Sequence, residues 1–341
     1  GALAMKITIA GNLIVDKIKH VDCYPQPTML CNITAVEQGV GGCAANTSAA
    51  LKTLWPQAQV CAAGLTGADE DGSWLCGRLA GFGVDTAHVA QTSAAPTSFT
   101  DVFTEAGSGR RTFFHARGAN ALFGRRQALR AARGSDLFHV GYALLLDALD
   151  APNEEYGTEM AALLAGVAEQ GAQTSLDLVS EDSGRFGAVV RPSLPWCDHL
   201  IINETEAGKL AGLAVRTPEG ALSAQGLRAA CRALLEGGVR RTVVVHAPEA
   251  ACLMDRAGAF ALVPSLALSK GYIQGSVGAG DAFCAAALAG LAQGADAALV
   301  LRAASCAAAC NLSRANSDGL RPMDEAMALE ARFPRMPAPQ N

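Results

Sequence analysis

Charge is scarce in this chain, and so are aromatic rings. Acidic and basic side chains make up 17% of the 341 residues, and Phe, Trp and Tyr only 5%. Neither sign dominates, since 27 Lys and Arg stand against 32 Asp and Glu, a formal charge of −5. A basic stripe interleaved with aromatics marks a nucleic-acid binder, and its absence argues against that partner. No apolar run is long enough to cross a bilayer without a charge or a helix breaker, so no membrane segment is expected. There is no charged-then-apolar leader, and residues 1–4 ahead of Met5 read as a cloning remnant. None of the eleven cysteines belongs to a C-x-x-C pair, so spacing gives no zinc motif. Their odd number and apolar neighbours, as in Val60-Cys61-Ala62, predict reduced, buried thiols and a cytoplasmic protein. What the chain has in plenty is apolar surface, 50% of its residues. That excludes disorder and lets a chain of this length bury roughly three quarters of what it exposes unfolded.

Against this background one stretch organises the rest: Gly275-Ser276-Val277-Gly278-Ala279-Gly280-Asp281-Ala282-Phe283. It has almost no side chains to pack, and it runs into an apolar helix. Its offer is backbone N–H groups, unpaired and partly positive in a first helical turn, which suit a phosphate. Asp281 repels such an anion unless it takes a proton from something nearby. A general base beside a phosphate cradle is what phosphoryl transfer to a hydroxyl requires. Helix capping accounts for an Asp in this position equally well. The motif is not a Walker A loop, because no Lys-Ser or Lys-Thr follows, and it is not a G-x-G-x-x-G fingerprint.

From the N-terminus, residues 6–10 read as a buried strand ending at Gly11-Asn12. In open α/β sheets ligands bind at that strand end. Asp16 follows among Leu13, Ile14 and Val15, either gripping ligand hydroxyls or exposed in a turn. Residues 17–40 lack helical period and suit a pair of projecting strands. Gly39-Val40-Gly41-Gly42-Cys43-Ala44-Ala45-Asn46 then opens a helix to residue 55, with Asn46 one turn in. A strand at 60–64, a turn at 67–72 and a helix at 73–80 follow, and Gly83-Val84-Asp85-Thr86 closes the unit. Segments 97–104 and 110–115 form a hairpin around Ala106-Gly107-Ser108-Gly109, and Gly118-Ala119-Asn120 ends the interruption. Strands at 136–141, 174–179, 199–203 and 242–246 then alternate with helices at 153–170 and 219–236. Such alternation implies a parallel sheet with helices on both faces. Two Ala-rich helices, 281–293 and 296–313, finish the chain, and 337–341 is expected to fray.

Asn203-Glu204-Thr205-Glu206 lies at a strand end where a helix begins. Carboxamide and carboxylate oxygens there suit Mg²⁺ held through water. They equally form a capping box. Asp177, at the end of another strand, is a weaker polar candidate on the same edge.

Together these residues resemble the ribokinase-like (PfkB) carbohydrate kinase family over about 5–325. Gly39 to Asn46 is similar to the family's N-terminal signature, and Val277 to Phe283 to its C-terminal one. Asn203-x-x-Glu206 is similar to its Mg²⁺/phosphate motif. The resemblance implies a single α/β domain over 5–330, a three-layer sandwich with a mostly parallel central sheet. A small β-sheet lid would come from about 13–40 and 97–116. It implies transfer of the ATP γ-phosphoryl group to a hydroxymethyl group of a sugar, with a nucleoside kinase or a non-catalytic sugar or nucleotide sensor as alternatives. Asp281 would be the base, with Gly278, Ala279 and Gly280 as the anion hole. Asn12, Asp16, Gly41, Gly42, Asn46 and Asn120 would face the sugar. Asn203, Glu206 and His246 would face the nucleotide, and Asn203 and Glu206 Mg²⁺. Selectivity would rest on lid residues such as Arg111 and His115, and dimerisation would run lid to lid. Two departures stand out. Gly275 replaces the Asp of members activated by a monovalent cation, which argues against K⁺ activation. His246-Ala247-Pro248 replaces the usual Thr-Leu-Gly beside the nucleotide.

Overall fold

A computed structural model describes residues 4–180, 183–314 and 319–340. The strands in chain order are β1 (Lys6–Gly11), β2 (Ile14–Val21), β3 (Ile33–Gly41), β4 (Gln59–Gly67), β5 (Asp85–Thr92), β6 (Phe99–Glu105), β7 (Arg111–Ala116) and β8 (Leu137–Ala143). They continue as β9 (Pro152–Asn153), β10 (Gly157–Thr158), β11 (Gln173–Leu178), β12 (His199–Asn203), β13 (Thr242–His246), β14 (Ala250–Asp255) and β15 (Phe260–Pro264). The helices are α1 (Cys43–Leu54), α2 (Glu70–Gly81), α3 (Arg125–Ala132), α4 (Asp147–Asp150), α5 (Glu159–Glu169) and α6 (Phe186–Val190). After them come α7 (Glu204–Ala211), α8 (Ala224–Glu236), α9 (Ala279–Ala292), α10 (Ala297–Asn311) and α11 (Met323–Met327).

Nine strands form the main sheet in the order β15-β14-β13-β12-β11-β8-β1-β4-β5. All neighbours from β13 to β5 are parallel, while β14 and β15 pair antiparallel at one edge. Parallel strands are covered on both faces, so successive residues serve different cores. In β13, Val243 and Val245 join the core beneath α3, α5 and α8, while Val244 joins the one beneath α1, α9 and α10. Residues 281–289 of α9 are all buried, and their Ala-rich surface lets α9 and α10 lie close. A four-stranded second sheet, β3-β2-β6-β7, projects from the end of β1.

The structure departs from sequence expectation at a few elements. Helix α2 begins earlier than residue 73, because the Asp69 side chain accepts from Gly72 N and caps it. Asp85 does not close a unit but opens β5, a half-exposed edge strand whose polar sequence hides it. The C-terminal segment 337–340 lies against the body, with Met336 N bonded to Ser265 O at 2.8 Å and Gln340 O accepting from Ala224 N at 3.3 Å. Asn341 lies outside the described residues.

Candidate active site

Chain order reverses direction at β1, with β4 on one side and β8 on the other, and the crevice lies at the C-terminal ends of these strands. There the backbones of β1 and β8 touch. A Cβ on Gly11, whose φ is +129°, would sit 1.7 Å from Gly141 O. Asn12, fully buried, donates from Nδ2 to Leu145 O at 2.9 Å and accepts from Tyr142 N at 2.6 Å. Its main-chain O accepts from Ala44 N at 3.0 Å. Asn120 accepts from Leu13 N at 3.1 Å and donates to Leu13 O at 3.0 Å. Both were expected to face a sugar; here their bonds fix the backbone around the crevice, and a sugar contact from either remains a proposal.

Asp16 of β2 pairs with Gly39 of β3, and Gly41 lies diagonally across from it. A Cβ at Gly41 would lie 2.8 Å from each Asp16 carboxylate oxygen, so only glycine leaves the acid its place. Gly42, at φ +87°, brings the chain within reach of Asn12 O and starts α1. Among the described residues nothing hydrogen-bonds the Asp16 carboxylate. Desolvation, then the charge of Asp281, push it up to about 6. A half-buried acid without a partner is a ready acceptor for ligand hydroxyls.

Asp281 sits in the first turn of α9 and is 8% exposed. Tyr142 Oη donates to its Oδ1 at 2.6 Å, Asn46 Nδ2 to Oδ2 at 3.1 Å, and Thr47 Oγ1 to Oδ1 at 3.4 Å. Burial raises its carboxyl to about 6, and those three bonds hold it from rising further. Gly278 starts the helix from the left-handed region, at φ +76°, which glycine adopts without strain. Asn311 Nδ2 ties the preceding turn through Val277 O at 2.8 Å. The N–H groups of Gly278 and Gly280 have no partner among the described residues, and Gly280 is exposed. Ala279 differs from expectation, since its N–H is turned to Ser276 O at 3.3 Å.

His246, at the end of β13, lies 4.7 Å from the Phe283 ring, and a Cβ on Gly280 would sit 3.7 Å from its Cε1. Burial pushes it down to about 4, so it stands neutral beside the glycine turn.

Asn203 and Glu206 make the capping box of α7. Asn203 Oδ1 accepts from Glu206 N at 2.9 Å, and Glu206 Oε2 from Asn203 N at 3.0 Å. Ser180 Oγ donates to Glu206 Oε1 at 2.9 Å. Even so, burial raises Glu206 to about 7. Asp177 is pushed well above the usual carboxylate range by burial and by the charges of Glu206 and Asp281. Asp177 thus bears the charges of two other acids along one rim. That donor set fits a hard divalent cation, which would relieve their repulsion. Sequence reading missed Tyr142 and Thr47. The signal available for Tyr142 was its place at a strand's C-terminal end, and for Thr47 its place beside Asn46 in the first turns of α1.

A family model described as the pfkB family carbohydrate kinase matches residues 6–322. No curated protein sequence matches the chain. Among solved structures, the Arabidopsis thaliana ribokinase complexed with ribose and ATP superposes with a TM-score of 0.79 at 19% identity, covering 96% of this chain and 99% of that one. The Thermotoga maritima ribokinase gives 0.77 at 17% identity, covering 96% and 99%. The Burkholderia thailandensis nucleoside kinase in complex with inosine gives 0.72 at 17% identity, covering 98% and 99%. At such identities the likeness speaks for the fold.

Proposed function

The chain belongs to the pfkB family of carbohydrate kinases, and from that premise we propose that it moves the γ-phosphoryl group of ATP onto a hydroxymethyl group of a small sugar. One observation carries this reading. A buried carboxylate, held by three donors, stands at the mouth of a helix turn with unpaired N–H groups.

In this reading Asp16, with Gly41, Gly42 and Asn46 around it, takes the sugar's hydroxyls. Tyr142, Asn46 and Thr47 aim Asp281 Oδ1 and Oδ2 at the acceptor hydroxyl. Its carboxyl near 6 leaves it ionised at neutral pH, able to accept the hydroxyl proton as the new P–O bond forms. The N–H groups of Gly278 and Gly280 stabilise charge spread over the transferred phosphoryl oxygens, and Ala279's joins them if its turn opens. His246 stays uncharged beside the nucleotide. Asn203, Glu206 and Asp177 would hold Mg²⁺ through water, and its charge would offset that of the ATP phosphates. The β2-β3-β6-β7 sheet serves as a lid that excludes competing water. Exposed Ile33, Val36, Phe113 and Phe114 on its outer strands support a homodimer through that sheet.

A nucleoside kinase is the second reading, favoured by the equally broad match to the Burkholderia enzyme. A sensor has no use for a base held by three donors. ADP release, screened over free sugars, sugar acids, sugar phosphates and nucleosides with Mg²⁺-ATP, separates the three. Asp281→Asn is expected to lower turnover by roughly 10²–10⁴-fold while ATP binding persists. Near-normal turnover in that variant would remove the base, and the reading with it.

A further inference from the structure

Beneath the crevice floor, four ligand-type side chains converge from four elements. A Cys43 sulfur from α1, a His139 ring nitrogen from β8 and an Asp177 oxygen from β11 all lie within 4.8 Å of one another. Cys284 of α9 places its sulfur 3.5 Å from His139 Nε2. The opposite ring nitrogen, Nδ1, lies 2.8 Å from Ser175 Oγ. That bond orients the imidazole and leaves Nε2 on the thiol side, as an outer partner does for a metal-bound histidine. Asp177 accepts only from Leu178 N among the described residues, so its second oxygen is open. Gly141 keeps the space clear. A Cβ there would lie 2.9 Å from Cys43 Sγ and 3.1 Å from Asp177 Cβ, so any side chain would fill the gap between two of the four.

Two sulfurs, one imidazole nitrogen and one carboxylate oxygen are the kind of soft, four-donor set that tetrahedral zinc sites use. Hard Mg²⁺ shuns thiolates, while zinc-class cations take all three donor types at about 2.0–2.3 Å. Such bond lengths put neighbouring ligand atoms roughly 3.3–3.8 Å apart, so the three groups within 4.8 Å of one another, with Cys284 beside His139, draw together when the cation binds. Buried cysteines in a core ordinarily meet aliphatic neighbours. Here two of them meet an imidazole and a carboxylate instead.

We propose that Cys43, His139, Asp177 and Cys284 form a binding site for a thiophilic divalent cation of the zinc class, reached from the crevice past Asp177. The site shares Asp177 with the Asn203–Glu206 rim but differs from it in its sulfur and imidazole donors, and it does not depend on the kinase reading. Cys43 lies three residues before Asn46 and Cys284 three after Asp281. A bound cation therefore ties α1 to α9 directly beneath the base and takes Asp177 from the rim. Spacing could not reveal this site, since its ligands stand far apart along the chain.

Cobalt(II) serves as the optical probe, titrated into the full chain carrying Cys23→Ser and Cys31→Ser so that the two thiols of the β2–β3 loop add nothing. The expected result is one equivalent bound, with thiolate-to-cobalt charge transfer and tetrahedral ligand-field bands, displaced by Zn²⁺ but not by Mg²⁺. Cys43→Ser and Cys284→Ser should each weaken binding at least tenfold, as should Asp177→Asn, which keeps the size of the side chain it replaces. Thermal unfolding of each metal-free variant checks that it is folded, and Zn²⁺ at a fixed concentration near the parent's Kd should raise the parent's midpoint more than that of any variant. Absence of the thiolate band, or a full-strength band in folded Cys43→Ser, overturns the proposal. Should both cysteine variants fail to fold, unchanged cobalt affinity in Asp177→Asn overturns it.

Discussion

Replacing Tyr142 by Phe deletes one hydroxyl and keeps the ring that packs against the α1–α9 core. The hydroxyl's pKa lies well above 10, so it is a donor at every working pH, and it spends that proton on Asp281 Oδ1 at 2.6 Å. A hydrogen bond to an ionised acceptor is worth about 1.5–3 kcal/mol. At 1.36 kcal/mol per unit, its loss alone would raise the Asp281 carboxyl by about 1–2 units. Asn46 and Thr47 remain and adjust, so the lower figure applies, and the carboxyl moves from about 6 to roughly 7. At pH 6 the ionised fraction then falls from roughly a half to roughly a tenth, about a fivefold loss. At pH 9 both proteins are fully ionised and the gap closes. The assay is initial-rate ADP release, giving kcat/KM from pH 5 to pH 9 with the best acceptor. The acid limb should shift to higher pH while the plateau holds. An unmoved limb would refute the reasoning. So would an equal loss at every pH, which would make Tyr142 a contact to substrate rather than a tuner of the base.

Gly41→Ala drives a Cβ to within 2.8 Å of both Asp16 oxygens, and the acid must turn away. The acceptor KM should rise by about tenfold, the loss of one good hydrogen bond, with the KM for ATP unchanged in steady-state kinetics. Asp16 and Asp281, ordinarily 3.8, stand near 6, and Glu206, ordinarily 4.5, near 7. For acids raised by folding, the protonated form is favoured, so stability is greatest below the ordinary values and falls as pH rises through about 6–7. Calorimetry of the unliganded protein should show its midpoint falling from pH 5 to pH 8, with Asp281 alone accounting for about 1.5 kcal/mol over that window. Asp281→Asn should flatten that slope. Exchanging Na⁺ for K⁺ should leave turnover unchanged, because Gly275 supplies no carboxylate, and clear activation by K⁺ in the same assay would contradict this.

Strands β12 and β13 were legible to the residue, because a short β-branched run bounded by polar ends leaves no alternative. The glycine turn before Asp281 was legible for a similar reason, since its composition has one structural use. Edge strands were harder. β5, with the sequence DTAHVAQT, buries too little to show an apolar pattern, and β14 and β15 lie outside the strand–helix alternation that guided the reading. Within the site, residue type was a poor guide to what a side chain spends its bonds on. Asn12 and Asn120 spend their side chains on backbone bonds, whereas Tyr142, which sequence reading did not single out, bonds the Asp281 carboxylate. Asn203 and Glu206 were left open between capping and cation binding. The capping bonds are present, and the raised Glu206 carboxyl keeps a cation role under proposal.

Tyr142 precedes Asp281 by 139 positions, and Asn46 precedes it by 235. On the ribosome, therefore, every donor emerges long before the acid it serves. A nascent chain stopped at β15 already carries all nine main-sheet strands, yet has nothing to accept those protons. Truncated products of this gene should be inert, and activity should appear only when the final helices dock. Reconstitution from two fragments cut between β15 and α9 would time that event.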